Sequence, residues 1–400
     1  MAGNDPHESH RAASPLECLF DLTFATSFGL AATQYAHCLE AGQYTAALVG
    51  FAYASFAICW AWINFSWFAS AYDTDDWVYR LVTMVQMIGV LILAMGLPRL
   101  FASIGHAKTV DNDVMVLGYV VMRIAMVSQW LRAAKQDPSR RKSSLTYAAT
   151  ISLAQIGWVG LIFVDTSLTI TIVLTSALLL VEFAGPVLAE RKGGGTPWHA
   201  HHIVERYSLF ALIALGEGVV GTVAVLSAEV GTEGWTLDAA LVCFAGIGLV
   251  FGLWWIYYLL PSAPFLHVHR DRAFVWGLAQ MVMITCVVAT GAGLQAASAS
   301  MGGQSSIGEI RTLLCTAVPV CLFLGLIYGL YYYLVRQFDR LHIWLLSITA
   351  LIAAITLLAA AAGISTPMCL VLLTAAPVVT IVGYEMFGHR HQSRMLATTD

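Results

Sequence analysis

Residues 237–260 read LDAALVCFAGIGLVFGLWWIYYLL, twenty-four positions with a single charge, Asp238. About 20 mostly apolar residues in helical form cross a hydrocarbon core of ~30 Å, so this run is long enough to span a bilayer on its own. Eleven more runs of the same kind can be placed, at 16–37, 45–70, 78–101, 113–133, 145–163, 167–189, 203–227, 272–296, 312–335, 341–362 and 366–387. The fold expected is all-α: a polytopic transmembrane helical bundle of about twelve spans. Composition agrees, with 58% apolar residues, 11% charged residues and a mean hydropathy of +0.74, which excludes an ordinary soluble core.

The loops left between these runs are short. Of the 20 Lys and Arg, 15 fall on one side of the ladder, 3 on the other, and Arg123 and Arg206 inside spans. Cytoplasmic loops carry the excess, so both termini are expected in the cytoplasm. The chain then divides into a polar cytoplasmic N-terminus (1–15), a six-span half (16–189), a cytoplasmic linker (190–202), a second six-span half (203–387) and a polar C-terminus (388–400). Trp60, Trp62 and Gln86 in the first half match Trp254 and Gln280 in the second at an offset near 194 residues. Six spans return the chain to its starting side, so the halves are read as a parallel repeat.

Charge inside a span is costly and needs a partner or a polar cavity, which makes the intramembrane ionisable groups the candidate site. They are Asp21, Arg123, Glu182 and Glu217, with Glu17, Glu205 and Arg206 nearer the surface. Ser14-Pro15-Leu16-Glu17 reads as a helix-capping box, which gives Glu17 a structural role. Asp21 lies one turn deeper on the same face, where two carboxylates repel unless one holds a proton or a cation. In the seventh span Arg206, Phe210, Ile213 and Glu217 share a stripe, with the two charges about 16 Å apart and unable to pair. Arg123 sits at mid-span with no acid of its own helix in reach, and Glu217 is the partner expected ahead of Asp21 or Glu182. Asp75, Asp76 and Arg80, in a turn, are gating or structural candidates. His199, His201 and His202 are read as solvated or interfacial, since no Cys or acid with ligand spacing stands beside them. The eight cysteines lie singly in apolar runs and read as packing residues. Trp60 and Trp62 fit helix packing or an interface belt.

Five segments in order, LECLFDLTFA at 16–25, YDTDDWVYRLVTMVQMIGVLILA at 72–94, VMRIAMVSQWLRAAKQDPSRR at 121–141, HHIVERYSLFALIALGEG at 201–218 and LWWIYY at 253–258, give the chain its resemblance. Together they are similar to the bacterial low temperature requirement A family, over most of the first 260 residues. The resemblance implies an inner-membrane protein named for a growth phenotype in the cold, without a substrate attached. From the residues, the reading is a transporter of a small solute or ion, with proton coupling as an option. The alternatives are a cation channel, for which Phe20-Asp21 at the start of the first span is the feature, and a membrane scaffold or an enzyme acting on lipid-linked substrates. No nucleophile elbow, phosphate loop or zinc-protease motif is present, so no catalytic residue, metal or cofactor is expected. The partners expected are the bilayer, the solute or ion, and copies of the chain in a homo-oligomer; the absence of a basic tract excludes nucleic acid.

Overall fold

The computed structural model describes residues 3–6, 8, 11–105, 110–164, 167–191, 194–301, 308–336 and 340–388. They form twelve long helices and one short one: α1 (Pro15–Glu40), α2 (Tyr44–Tyr72), α3 (Trp77–Gly105), α4 (Asp113–Gln136), α5 (Arg141–Ile162), α6 (Leu168–Arg191), α7 (Ala200–Glu233), α8 (Leu237–Leu259), α9 (Ser262–Val268), α10 (Ala273–Met301), α11 (Glu309–Val335), α12 (Arg340–Ala361) and α13 (Thr366–Gly383). No strand occurs among the described residues. Eleven of these helices are long and apolar enough to cross a membrane. The protein is thus a multi-span helical membrane protein. α1, which carries Glu17 and Asp21, is not among the eleven.

Helices prevail because a bilayer offers no water to backbone N–H and C=O groups, and only helices or closed barrels satisfy them internally. Pro98, Pro186, Pro319 and Pro377 accordingly sit inside α3, α6, α11 and α13, where packed neighbours and local adjustment accommodate the missing donor. α3 turns its polar side chains inward. On α3, Leu81, Met84, Val85, Ile88, Leu91 and Met95 are exposed, while Tyr79, Thr83, Gln86, Val90 and Leu93 are buried. Gly42, at φ +70, lets the chain reverse between α1 and α2, its N–H donating to the carbonyl of Leu39; this is left-handed backbone that glycine adopts without strain.

Two compact units emerge. The first comprises Met1–Cys38, Gln43–Ile213 and Leu266–Gly277, and so holds α2–α6, nearly all of α1 and the first part of α7. Within it α3 packs on α2 and α4, α4 on α5, and α5 on α6. A Cβ on Gly118 would lie 2.6 Å from the carbonyl oxygen of Gly89 and 2.5 Å from the backbone nitrogen of Leu93, so α3 and α4 cross backbone to backbone. The second unit comprises Leu39–Gly42, Ala214–Phe265 and Leu278–Asp400, with α8 and α12 packed on α13 and α11 on α12. The change of unit falls within α7, between Ile213 and Ala214.

Candidate functional site

α1 starts where the sequence marks it. The backbone N–H of Ser14 donates to Glu17 Oε2 at 2.7 Å and that of Glu17 to Ser14 Oγ at 3.3 Å, a reciprocal capping box. Glu17 is the third residue of α1 and Asp21 the seventh; His202 and Arg206 hold the same two places in α7. Residues four apart stack on one helix face, so the two helices meet in two rungs. In the first, His202 Nε2 donates to Glu17 Oε2 at 3.2 Å. In the second, Arg206 reaches both acids, with Nη1 2.6 Å from Glu17 Oε1 and Nη2 2.6 Å from Asp21 Oδ1. The indole N–H of Trp62, from α2, donates to Asp21 Oδ1 at 2.6 Å. Arg206 also lies 5.7 Å from the Trp62 ring and 5.6 Å from that of Phe65. All four ionisable groups are enclosed, none more than 1% exposed.

This set resolves the repulsion that Glu17 and Asp21 pose on paper. Arginine is charged under all ordinary conditions and binds two acceptors at once, so Arg206 is the fixed counter-charge of both acids. With a neutral His202 the set still carries one negative charge in excess. Two atoms remain open to a proton: His202 Nδ1 and Asp21 Oδ2 are buried and have no hydrogen-bond partner among the described residues.

A second cluster lies on the other side of α2. Arg123 Nη2 is 2.9 Å from Glu182 Oε2, both side chains 4% exposed. Trp60 donates to the same oxygen at 2.8 Å and Trp158 to Oε1 at 3.3 Å. Asn64 Oδ1 accepts from Arg123 at 3.4 Å, and the Tyr119 ring lies 5.3 Å from the guanidinium. The pair is electrically balanced. Beside it, Tyr53, Phe56, Trp60, Tyr119 and Trp158 enclose a cavity of about 30 Å³ that touches Glu182, room for a water or two.

Several expectations change at this point. Arg123 is joined to Glu182 of α6, not to Glu217, because α2, α4, α5 and α6 converge on that carboxylate. Glu217 is half-buried in the part of α7 that belongs to the second unit, with no hydrogen-bond or ion-pair partner among the described residues. His199 and His202 are fully buried, not solvated. His199 Nε2 donates to the carbonyl of Glu8 at 2.7 Å, and its Nδ1 accepts from the backbone N–H of His202 at 3.3 Å. The linker around them is drawn inward, with residues 195–200 all buried. His201 is exposed and Glu205 half-buried.

The turn between α2 and α3 is held by its acids. Asp76 caps α3 by accepting from the backbone N–H of Tyr79 at 3.0 Å and pairs with Arg132 at 2.5 Å. Asp75 pairs with Arg80 at 2.6 Å in solvent. Both carboxyls are held below their ordinary value, first by those arginine hydrogen bonds. Asp73 moves the other way, pushed up to about 6 by burial and then by the charge of Glu17.

Sequence reasoning missed the roles of Trp60, Trp62, Trp158 and His202. The signal for the first two is their spacing: residues two apart on a helix point about 200° apart, so one α2 indole serves each cluster.

Among known proteins, the family model described as "Bacterial low temperature requirement A protein (LtrA)" matches residues 12–377. The match thus runs well beyond the segments that carry the resemblance in the sequence. An uncharacterized protein of Rhizobium meliloti (strain 1021) is 26% identical over 215 residues, 51% of this chain and 48% of that protein. The chain therefore aligns with about half the length of this relative. No solved structure matches.

Proposed function

This chain belongs to the bacterial low temperature requirement A family, and from that premise we propose a transporter of a small solute or ion coupled to protons. The cluster of Glu17, Asp21, Arg206 and His202 is its proton-handling site, set in the bacterial cytoplasmic membrane with both termini in the cytoplasm. One observation carries the reading: two buried carboxylates share one guanidinium, beside an imidazole whose second nitrogen is free. Such a set gains a proton without adding net charge to the membrane interior, because the proton neutralises the excess negative charge. Arg206 stays charged throughout and holds the geometry; His202 and Asp21 are the groups that change. The Arg123–Glu182 pair is balanced and bonded further to Asn64, Trp60 and Trp158, which suits a structural strut.

The test is reconstitution of the full chain in liposomes carrying internal pH and potassium dyes. A transporter moves protons together with radiolabelled solute from a panel of small polar and ionic compounds, in fixed ratio, and Asp21→Asn uncouples the two. Steady potassium or proton current without saturation would establish the channel alternative. Silence under every gradient would sink both in favour of a scaffold or a lipid-linked enzyme.

A further inference from the structure

A third helix starts beside the charged cluster with the same spacing. Tyr79 is the third residue of α3 and Thr83 the seventh, as Glu17 and Asp21 are in α1 and His202 and Arg206 in α7. Gln86 follows as the tenth, and the spacing of four and then three keeps all of them on one stripe. At about 1.5 Å per residue, Tyr79, Thr83 and Gln86 lie roughly 3, 9 and 14 Å along the helix. Ser66 of α2, the seventh residue counted back from Tyr72, stands at the level of Thr83 and Asp21.

These side chains are buried, Tyr79, Thr83 and Ser66 at 0% and Gln86 at 2% exposure. Tyr79 Oη, Thr83 Oγ1, Gln86 Nε2 and Ser66 Oγ have no hydrogen-bond partner among the described residues, and neither has Asp21 Oδ2. Five such atoms lie at three successive levels beside the charge cluster. Buried polar groups must be hydrogen-bonded, and within a bilayer the demand is stricter. Internal water making two to four hydrogen bonds is the ordinary means. The upper end of the stripe leads outward: Tyr79 lies in the electrostatic field of Asp73, Glu17 and Arg206. Asp73, in the turn outside the helices, feels the charge of Glu17 in turn.

We infer that a file of internal water runs along Tyr79, Thr83 and Gln86 of α3, joining the turn carboxylate of Asp73 to Asp21 in the cluster. The inference rests on the proton-handling reading for its purpose: the file gives a proton a path between the surface turn and the buried set. Asp73, pushed up to about 6, both receives and releases a proton near neutral pH, as the mouth of such a path requires. Tyr79 stands between turn and cluster as a hydroxyl that donates and accepts, whereas Gln86 closes the deeper end.

Pulsed X-ray hydroxyl-radical labelling tests it, because radicals generated from bound water mark buried side chains next to that water. Tyr79 is shielded from bulk solvent, so its oxidation in the full chain in lipid nanodiscs reports internal water. Strong labelling of Tyr79 in the wild type, reduced at least fivefold in the Thr83→Val/Gln86→Leu variant, is the expected result. Gln86→Leu alone serves if the double variant does not fold. An unlabelled Tyr79 overturns the inference, and so does labelling that neither variant reduces. The transport reading fails separately: a hydrated, labelled stripe in a protein that moves no proton in liposomes leaves the water file standing and removes its purpose.

Discussion

Arg123 and Glu182 lie 2.9 Å apart with almost no exposure, and that geometry fixes what substitution does. Removing one partner leaves a single charge in low dielectric, a loss of about 3–5 kcal/mol. Arg123→Leu and Glu182→Leu should therefore each cut the yield of folded protein and lower its thermal midpoint in detergent. The double change leaves no uncompensated charge, and thermal unfolding should show most of the loss recovered. A double variant as unstable as the worse single one would contradict the strut. At the surface, Asp73 sets a pH dependence of the opposite kind from its neighbours. Its proton is bound more tightly in the folded chain than in the unfolded one, so stability falls as pH rises from 3.8 through about 6. Asp75 and Asp76, held low by Arg80 and Arg132, contribute stability that is present above 3.8 and lost as pH falls below it. The difference between thermal midpoints at pH 4.5 and 7 should thus be smaller in Asp73→Asn than in the wild type.

At the scale of elements, α3 and α4 depend on one close crossing. A Cβ at Gly118 meets backbone atoms at 2.5 and 2.6 Å, which cannot rotate away as a side chain could. Gly118→Ala should push the helices apart at a cost of about 1–3 kcal/mol, seen as a lowered thermal midpoint; an unchanged midpoint would show that the crossing yields. How much of this level the sequence discloses depends on the kind of information each feature needs. The start of α1 is legible because Ser14, Pro15 and Glu17 encode it locally, and the structure has the expected capping bonds. The shared face of Glu17 and Asp21 is legible from helical spacing. The partner of Arg123 is not, because spacing within α4 says which way Arg123 points but not whether α6 or α7 lies there. The burial of His202 is illegible for the same reason: its hydrogen-bond partner, Glu17, is 185 residues away and belongs to another helix.

For the whole molecule, hydropathy and helix length disclose the fold class, and the fifteen-to-three bias of Lys and Arg is the ground for the proposed topology. If both termini are cytoplasmic, an impermeant thiol reagent applied to intact cells should label Gln304→Cys, at a position outside the described residues, and spare Ser139→Cys, in each case on a background without the native cysteines. Equal labelling would contradict the twelve-span ladder. The proposed six-plus-six repeat is tested by whether residues 16–189 superpose on 203–387 with Gln86 over Gln280.

Of the two buried charge clusters, the one around Arg206 is proposed to bind and release the proton, and the one around Arg123 to hold helices together. Infrared difference spectroscopy of the full chain in a bilayer, stepped between pH 5 and pH 8, reads this directly from carboxyl and imidazole bands. The expected result is a wild-type proton-uptake signal that Asp21→Asn and His202→Gln each alter or abolish, and that Arg123→Leu/Glu182→Leu leaves intact. A signal unchanged by the first two and removed by the last would contradict it.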